Sequence, residues 1–183
     1  MAVLLAASGA RAEPARPPTL AEELGAAYES MDTVSCEIRK TTSAGGQTVR
    51  MLSRVFYRRP DHVHVDSAAP VKRRIIADGS ALYYHEEGRP LGFSRPIAEL
   101  DGPFLDSLRN IPATPMEHLR KLKGLPEQEL PPSPDCPFRR AYQAERRFVV
   151  LSCDAQKHLT RLEFFTAPDM AVRTAEYTYE QYA

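Results

Sequence analysis

The stretch from Tyr57 to Gly88, YRRPDHVHVDSAAPVKRRIIADGSALYYHEEG, decides how this chain is read. Val63 and Val65 alternate with His62 and His64, so one face of that segment is aliphatic and the other polar. Arg74 to Ala77 and Ala81 to His85 flank Asp78 and Gly79. That pair is a strong hairpin signal, because a tight β-turn needs the positive φ that Gly adopts without strain. The stretch therefore predicts three short antiparallel strands. It contains no metal cage, phosphate loop or nucleophile elbow.

The same period of two continues upstream. Val34, Cys36 and Ile38 alternate with Ser35, Glu37 and Arg39, and Gly45 and Gly46 then turn the chain. Val49, Met51, Ser53, Val55 and Tyr57 alternate with Arg50, Leu52, Arg54 and Phe56. Downstream, residues 138–143, 148–153, 159–166 and 172–179 carry strand patterns again. Two segments change to helical spacing. Thr19 and Glu22 form a capping-box signature ahead of Leu20, Leu24, Ala27, Tyr28 and Met31. Thr114, Pro115 and Glu117 start a second helix through Met116, Leu119 and Leu122, with Gly124 as its stop. Leu105 and Leu108 suggest a short piece before it. Strands with one apolar face need cover, so the expected fold is α+β, an antiparallel meander sheet curled around short helices.

Composition narrows the function classes. A chain of 183 residues that is 43% hydrophobic forms one domain with a sizeable core, here 13–183. Lys and Arg together number 24, as do Asp and Glu, and this balance gives no support to nucleic acid as a partner. Residues 1–12, MAVLLAASGARA, read as the remnant of a signal peptide, with Ala10 and Ala12 fitting a small-x-small cleavage rule. Export, and hence an oxidising periplasmic setting, is expected.

Candidate chemistry is sparse. His62 and His64 share a strand face, but no third and fourth ligand accompanies them, and the valines between claim the interior. Cys36 lies on an apolar strand face, where a thiol behaves as a small hydrophobe. If Ala144 and Glu145 form a hairpin tip, Cys136 and Cys153 face each other; a structural disulfide is favoured, with free thiols the alternative. Serines lack a nucleophile-elbow context, and Glu86 and Glu87 sit at a turn. No catalytic constellation and no cofactor is expected.

From Phe56 the chain reads FYRRPDHVHV, and from Val71 to His85 VKRRIIADGSALYYH. This block resembles the outer-membrane lipoprotein carrier family, the LolA-like proteins, and the likeness extends to the N-terminal helix and the terminal hairpins. The resemblance implies an open antiparallel half-barrel of about ten to eleven strands, whose hollow receives acyl chains under a lid of short helices. It implies as partners lipoprotein or other lipid acyl chains, an inner-membrane transporter and an outer-membrane acceptor, with the carrier itself a monomer. The Arg before Pro, here Arg59, is implied to latch lid to barrel, a task suited to the five donors of a guanidinium. Val63 and Val65 fall at cavity-facing positions that are usually larger in that family, so a pocket of different shape is expected. On these grounds the hollow should be lined by Val34, Cys36, Ile38, Met51, Val55, Val63, Val65, Ile76, Leu82, Tyr84 and Leu119. The expected function is a periplasmic carrier of lipoprotein acyl chains. The alternatives are a module of the same fold binding another lipid or glycolipid for an exporter, or one sensing lipoproteins.

Overall fold

A computed structural model describes residues 16–58, 62–100, 115–144 and 147–180. Helix α1 (Leu20–Ser30) begins at the expected capping box: the Glu22 amide donates to Thr19 Oγ1 at 3.3 Å and the Thr19 amide to Glu22 Oε2 at 2.8 Å. Leu20, Ala21, Leu24 and Tyr28 are buried, while Ala27 and Met31, which share the helical spacing, are exposed. Strands β1 (Thr33–Ala44) and β2 (Gln47–Arg58) meet at Gly45 and Gly46, whose φ values of 58° and 79° fit a two-residue turn that twists with its strands.

Strands β3 (His62–Ala69), β4 (Arg73–Asp78) and β5 (Ala81–Glu86) continue the meander. Between the last two, Gly79 takes φ 89°. The Asp78 carboxylate accepts from the amides of Ser80 and Ala81 at 2.9 and 2.8 Å, and these bonds hold its pKa down to about 2. A short β6 (Phe93–Pro96) ends this half and leads into a 3-10 turn, Ile97–Glu99. Helix α2 (Pro115–Leu122) precedes a second meander of β7 (Glu127–Glu129), β8 (Phe138–Ala144), β9 (Arg147–Cys153), β10 (Leu159–Phe165) and β11 (Arg173–Glu180).

All strands join one antiparallel sheet of 11 in the order β6-β5-β4-β3-β2-β1-β11-β10-β9-β8-β7. The first and last strands pair at its centre, from Glu37 opposite Glu180 to Thr42 opposite Ala175. The edges, β6 and β7, remain apart, so the sheet is open, as the resemblance implied. The main core lies between the inner face and the two helices. A small second cluster of Ala141, Val150 and Phe165 sits on the outer face under Leu130 and Met170.

Two expectations from sequence are corrected. In the β8–β9 hairpin Ala144 pairs with Arg147, so the tip falls one position later than assumed and Cys153 faces Phe138. Cys136 lies before β8, with its sulfur 3.3 Å from Thr160 Oγ1, and Cys36, Cys136 and Cys153 are three buried free thiols. Ile76 is not on the inner wall. It pairs with His64 on the outer face, and Ile75, opposite Val65, takes the inner position. Several expectations lie outside the described residues: the signal remnant 1–12, the latch Arg59, the piece bearing Leu105 and Leu108, and the cap Thr114.

The buried polar junction between α1 and the second meander explains why this helix is fixed. Tyr142, 1% exposed, donates from its hydroxyl to Glu127 Oε2 at 2.8 Å and accepts the Ala21 amide at 3.0 Å. The Leu20 amide reaches the same Glu127 oxygen at 2.9 Å. Two otherwise unpartnered N-terminal amides of the helix are thereby satisfied from the sheet. Tyr142→Phe strands both Ala21 N–H and part of Glu127. It should lower stability by on the order of 1–3 kcal/mol in urea unfolding, with an unchanged denaturant slope.

Candidate functional site

Strand register sorts the inner face of β1–β6 into rows. The first row runs Val34, Tyr57, Val63, Ala77, Leu82 and the second Cys36, Val55, Val65, Ile75, Tyr84, Phe93. The first row continues from Leu82 to Arg95 of β6; apart from it, both rows are apolar but for the tyrosine hydroxyls and the Cys36 thiol, which burial pushes up to about 12 and so keeps protonated. Of the residues expected to line the hollow, Val34, Cys36, Ile38, Val55, Val65 and Leu82 are buried in the core. Leu119 joins them from α2. Val63 and Tyr84 pack partly buried against the core, and Met51 is half-buried farther along the inner face, opposite Lys40. Sequence reading omitted Ile75 from the wall, along with Leu20, Leu24 and Tyr28 of α1, which belong to the same core.

The two halves of the inner face differ in cover. Contacts from the helices run to the second meander: α1 to Glu127 and Tyr142, and to the Leu159 amide, which meets the Tyr28 hydroxyl at 3.4 Å. There Tyr142, Leu151, Cys153, Leu159 and Leu162 are at most 1% exposed. On the first meander Tyr57, Val63, Ala77 and Tyr84 are partly buried, as are Phe138, Phe164 and Ala175 on the second. What distinguishes the halves is where α1 is hydrogen-bonded, which is to the second meander. The helices also hold each other, since Glu22 Oε1 accepts the Gly124 amide at 3.2 Å and Arg120 lies 3.6 Å from Glu29.

His118 on α2 is the buried titratable group of this region. Its ring meets Tyr177 edge-on at 4.5 Å and Phe164 at 5.6 Å, and its Nε2 has no hydrogen-bond partner among the described residues. Lys40 lies over the same Tyr177 ring, 5.1 Å from its centre. Burial first, then Lys121 and Lys40, hold the His118 pKa down to about 3.

The outer face carries charge instead. Glu37, Arg54, Asp66, Arg74 and His85 line a groove of about 690 Å³ across β1–β5. Its charges pair with one another, Arg74 with Asp66 at 2.7 Å and Arg54 with Glu37 at 3.4 Å. His62 and His64 lie on this outer side, as expected, with His64 Nε2 3.2 Å from Asp66. Among the described residues no group of three or more His, Cys, Asp or Glu could hold a metal ion, and no helix is long and apolar enough to cross a membrane.

No protein-family model and no curated protein sequence matches the chain. Among solved structures it is similar to a DUF1329 family protein from Desulfovibrio piger ATCC 29098, at 8% identity and a TM-score of 0.41, over 89% of each chain. It is also similar to the LolA superfamily protein NE2245 from Nitrosomonas europaea, at 11% identity and a TM-score of 0.36, over 84% of this chain and 86% of that one. Both likenesses concern the course of the chain.

The His118 environment predicts a pH dependence. A histidine whose folded pKa is depressed contributes stability above its unfolded pKa near 6.5, and that contribution is lost as pH falls toward about 3. From pH 6.5 to pH 5 the loss should reach about 2 kcal/mol at the limiting rate of about 1.4 kcal/mol per pH unit. Urea midpoints measured across this range should fall in the native chain and fall less in His118→Phe.

Proposed function

We propose that this protein is a lipid carrier that lays an acyl chain along the inner wall of its first meander and passes it to an acceptor membrane. The observation that carries this reading is the pair of adjacent apolar rows from Val34 to Leu82 and from Cys36 to Phe93, of which Tyr57, Val63, Ala77 and Tyr84 are only partly buried. Each methylene withdrawn from water contributes about 0.8 kcal/mol, so about ten of them give on the order of 8 kcal/mol before ordering costs.

In its specific form the reading is periplasmic. The acyl chains belong to lipoproteins, received from an inner-membrane transporter and delivered to an outer-membrane acceptor by a monomer without catalytic activity. The segment from Phe56 to Tyr84 supports it through its likeness to lipoprotein carriers. A second reading, a module of this fold holding another lipid or glycolipid for an exporter, is favoured by the small valines at 63 and 65, which leave a differently shaped wall.

Two substitutions test the reading. Val63→Glu sets a carboxylate on the first apolar row, where an acyl chain would have to desolvate it. The folded variant should lose binding of a fluorescent fatty-acid probe, and undiminished affinity would defeat the carrier assignment. Arg59→Leu removes the proposed latch. It should retain the probe more tightly and release it more slowly to acceptor vesicles, since the closed empty form no longer competes with cargo; Arg58→Leu should change little. Equal behaviour of the two variants would remove Arg59 from the mechanism.

A further inference from the structure

Every strand pair in the sheet is antiparallel, so the β1–β2, β3–β4, β5–β6, β8–β9 and β10–β11 connections all emerge at one end. Eight large apolar side chains are exposed among the described residues, and four of them lie on or next to these connections: Val49, Val71, Leu91 and Val172. Leu91 is 82% exposed and the three valines between 45% and 59%. The turns described at the opposite end, 79–80 and 154–158, carry only Gly, Ser, Asp, Ala, Gln, Lys and His. A singly exposed apolar residue is ordinary, but four gathered at one end of a sheet are not.

The backbone holds these tips in place. Strand β2 pairs with β3 only from Leu52 onward, so the end of the β1–β2 hairpin, with Val49 and Arg50, projects past its neighbour. The Glu87 amide donates to the Lys72 carbonyl at 2.8 Å and the Lys72 ammonium to the Glu87 carboxylate at 3.2 Å, which ties the connection bearing Val71 to the one bearing Leu91. Just past Leu91 the chain presses on β5, since a Cβ on Gly92 would come within 2.5 Å of the Tyr84 carbonyl oxygen. In the β10–β11 connection the Thr166 amide donates to the Val172 carbonyl at 3.3 Å. Cations accompany the apolar tips. Arg50, Lys72, Arg89 and Arg147 are exposed at this end, against the acids Glu87 and Asp169 among the described residues of the same connections.

We infer that this end of the sheet is a membrane-docking rim, and that its partner is the surface of a bilayer carrying anionic headgroups. From the β5–β6 connection to the β10–β11 connection is six strand spacings, about 30 Å at about 4.8 Å each. Separate apolar tips spread over that width suit a fluid, planar interface, which takes up each one independently, better than a single groove on a rigid partner. Leu91 and the valines enter the boundary between headgroups and acyl chains, while the neighbouring cations meet lipid phosphates, and the two contributions add. The inference goes beyond the carrier reading, because it names the surface by which the protein meets a membrane whether or not cargo is bound.

The chain contains no tryptophan, so Leu91→Trp places a single reporter on the rim and Phe56→Trp one on the outer face. Each variant is titrated with cargo-free vesicles of phosphatidylglycerol mixed with phosphatidylethanolamine, and with vesicles of phosphatidylcholine alone. With the mixed vesicles the Leu91→Trp emission should shift to the blue and be quenched by brominated acyl chains, while the Phe56→Trp emission stays where it was. In flotation, Leu91→Asn should lower the partitioning of the otherwise native chain about tenfold, a ratio equivalent to about 1.4 kcal/mol. Arg50→Gln combined with Arg147→Gln should remove the preference for mixed over neutral vesicles. All these side chains are exposed, so the substitutions leave the core intact. If the native chain floats with neither kind of vesicle, or if the two tryptophan variants respond alike, the rim assignment is overturned. It is equally overturned if Leu91→Asn splits a dimer in gel filtration, for the end is then an interface between copies of this chain. Fatty-acid probe binding measured without vesicles decides the carrier reading separately.

Discussion

Pairing of β1 with β11 holds the rest of the molecule together. Each meander is made of local hairpins, but only the ladder from Glu37–Glu180 to Thr42–Ala175 turns two meanders into one sheet with a common inner face. The partners are separated by nearly the whole chain, so loop-closure entropy opposes this contact more than any hairpin. Ile38 and Tyr179, 1% and 2% exposed and directly opposite one another, bury the seam and offset that cost with apolar contact.

The seam also divides labour between the two halves. On the β8–β11 side the helices are tied down by Glu127, Tyr142 and Tyr28, and the strands beneath them are sealed. On the β2–β5 side the wall is apolar, with Tyr57, Val63, Ala77 and Tyr84 partly buried. A carrier needs both properties. A surface left apolar in water is tolerable only if the remainder of the fold supplies enough stability, and a bound chain can leave again only if the cover over it is not equally firm.

The polarity of the wall changes along the strand direction, not across it. Residues two apart on one strand share a face, so a single strand such as β2 can set Tyr57, Val55 and Ser53 in sequence on the inside. Repeating that order on neighbouring strands in register produces bands: valine, isoleucine and leucine at one end, serine, lysine and arginine at the other. His118, packed against Tyr177 and Phe164, is neutral at neutral pH.

The sequence by itself determined most of the elements and the alternation of faces along each strand, though not the short edge strands β6 and β7. A capping box, paired glycines, Asp78 before Gly79 and strict alternation are local signals, each with a local physical cause, and the antiparallel sheet followed from them. Register between strands was beyond its reach wherever local chemistry was degenerate. Ile75 and Ile76 are equally suited to an interior, and only the opposition of Val65 to Ile75 chooses between them. The β8–β9 tip could fall at either of two neighbouring positions, and the one adopted sets Cys153 against Phe138 and leaves Cys136 as a separate thiol. The Ser53–Ser67 bond and the hold of Tyr142 and Glu127 on α1 join residues far apart in the chain. Tertiary structure alone decided them, because a side chain's partner across a sheet is fixed by how strands slide past one another, and a one-residue slip would turn every one of these groups to the other face.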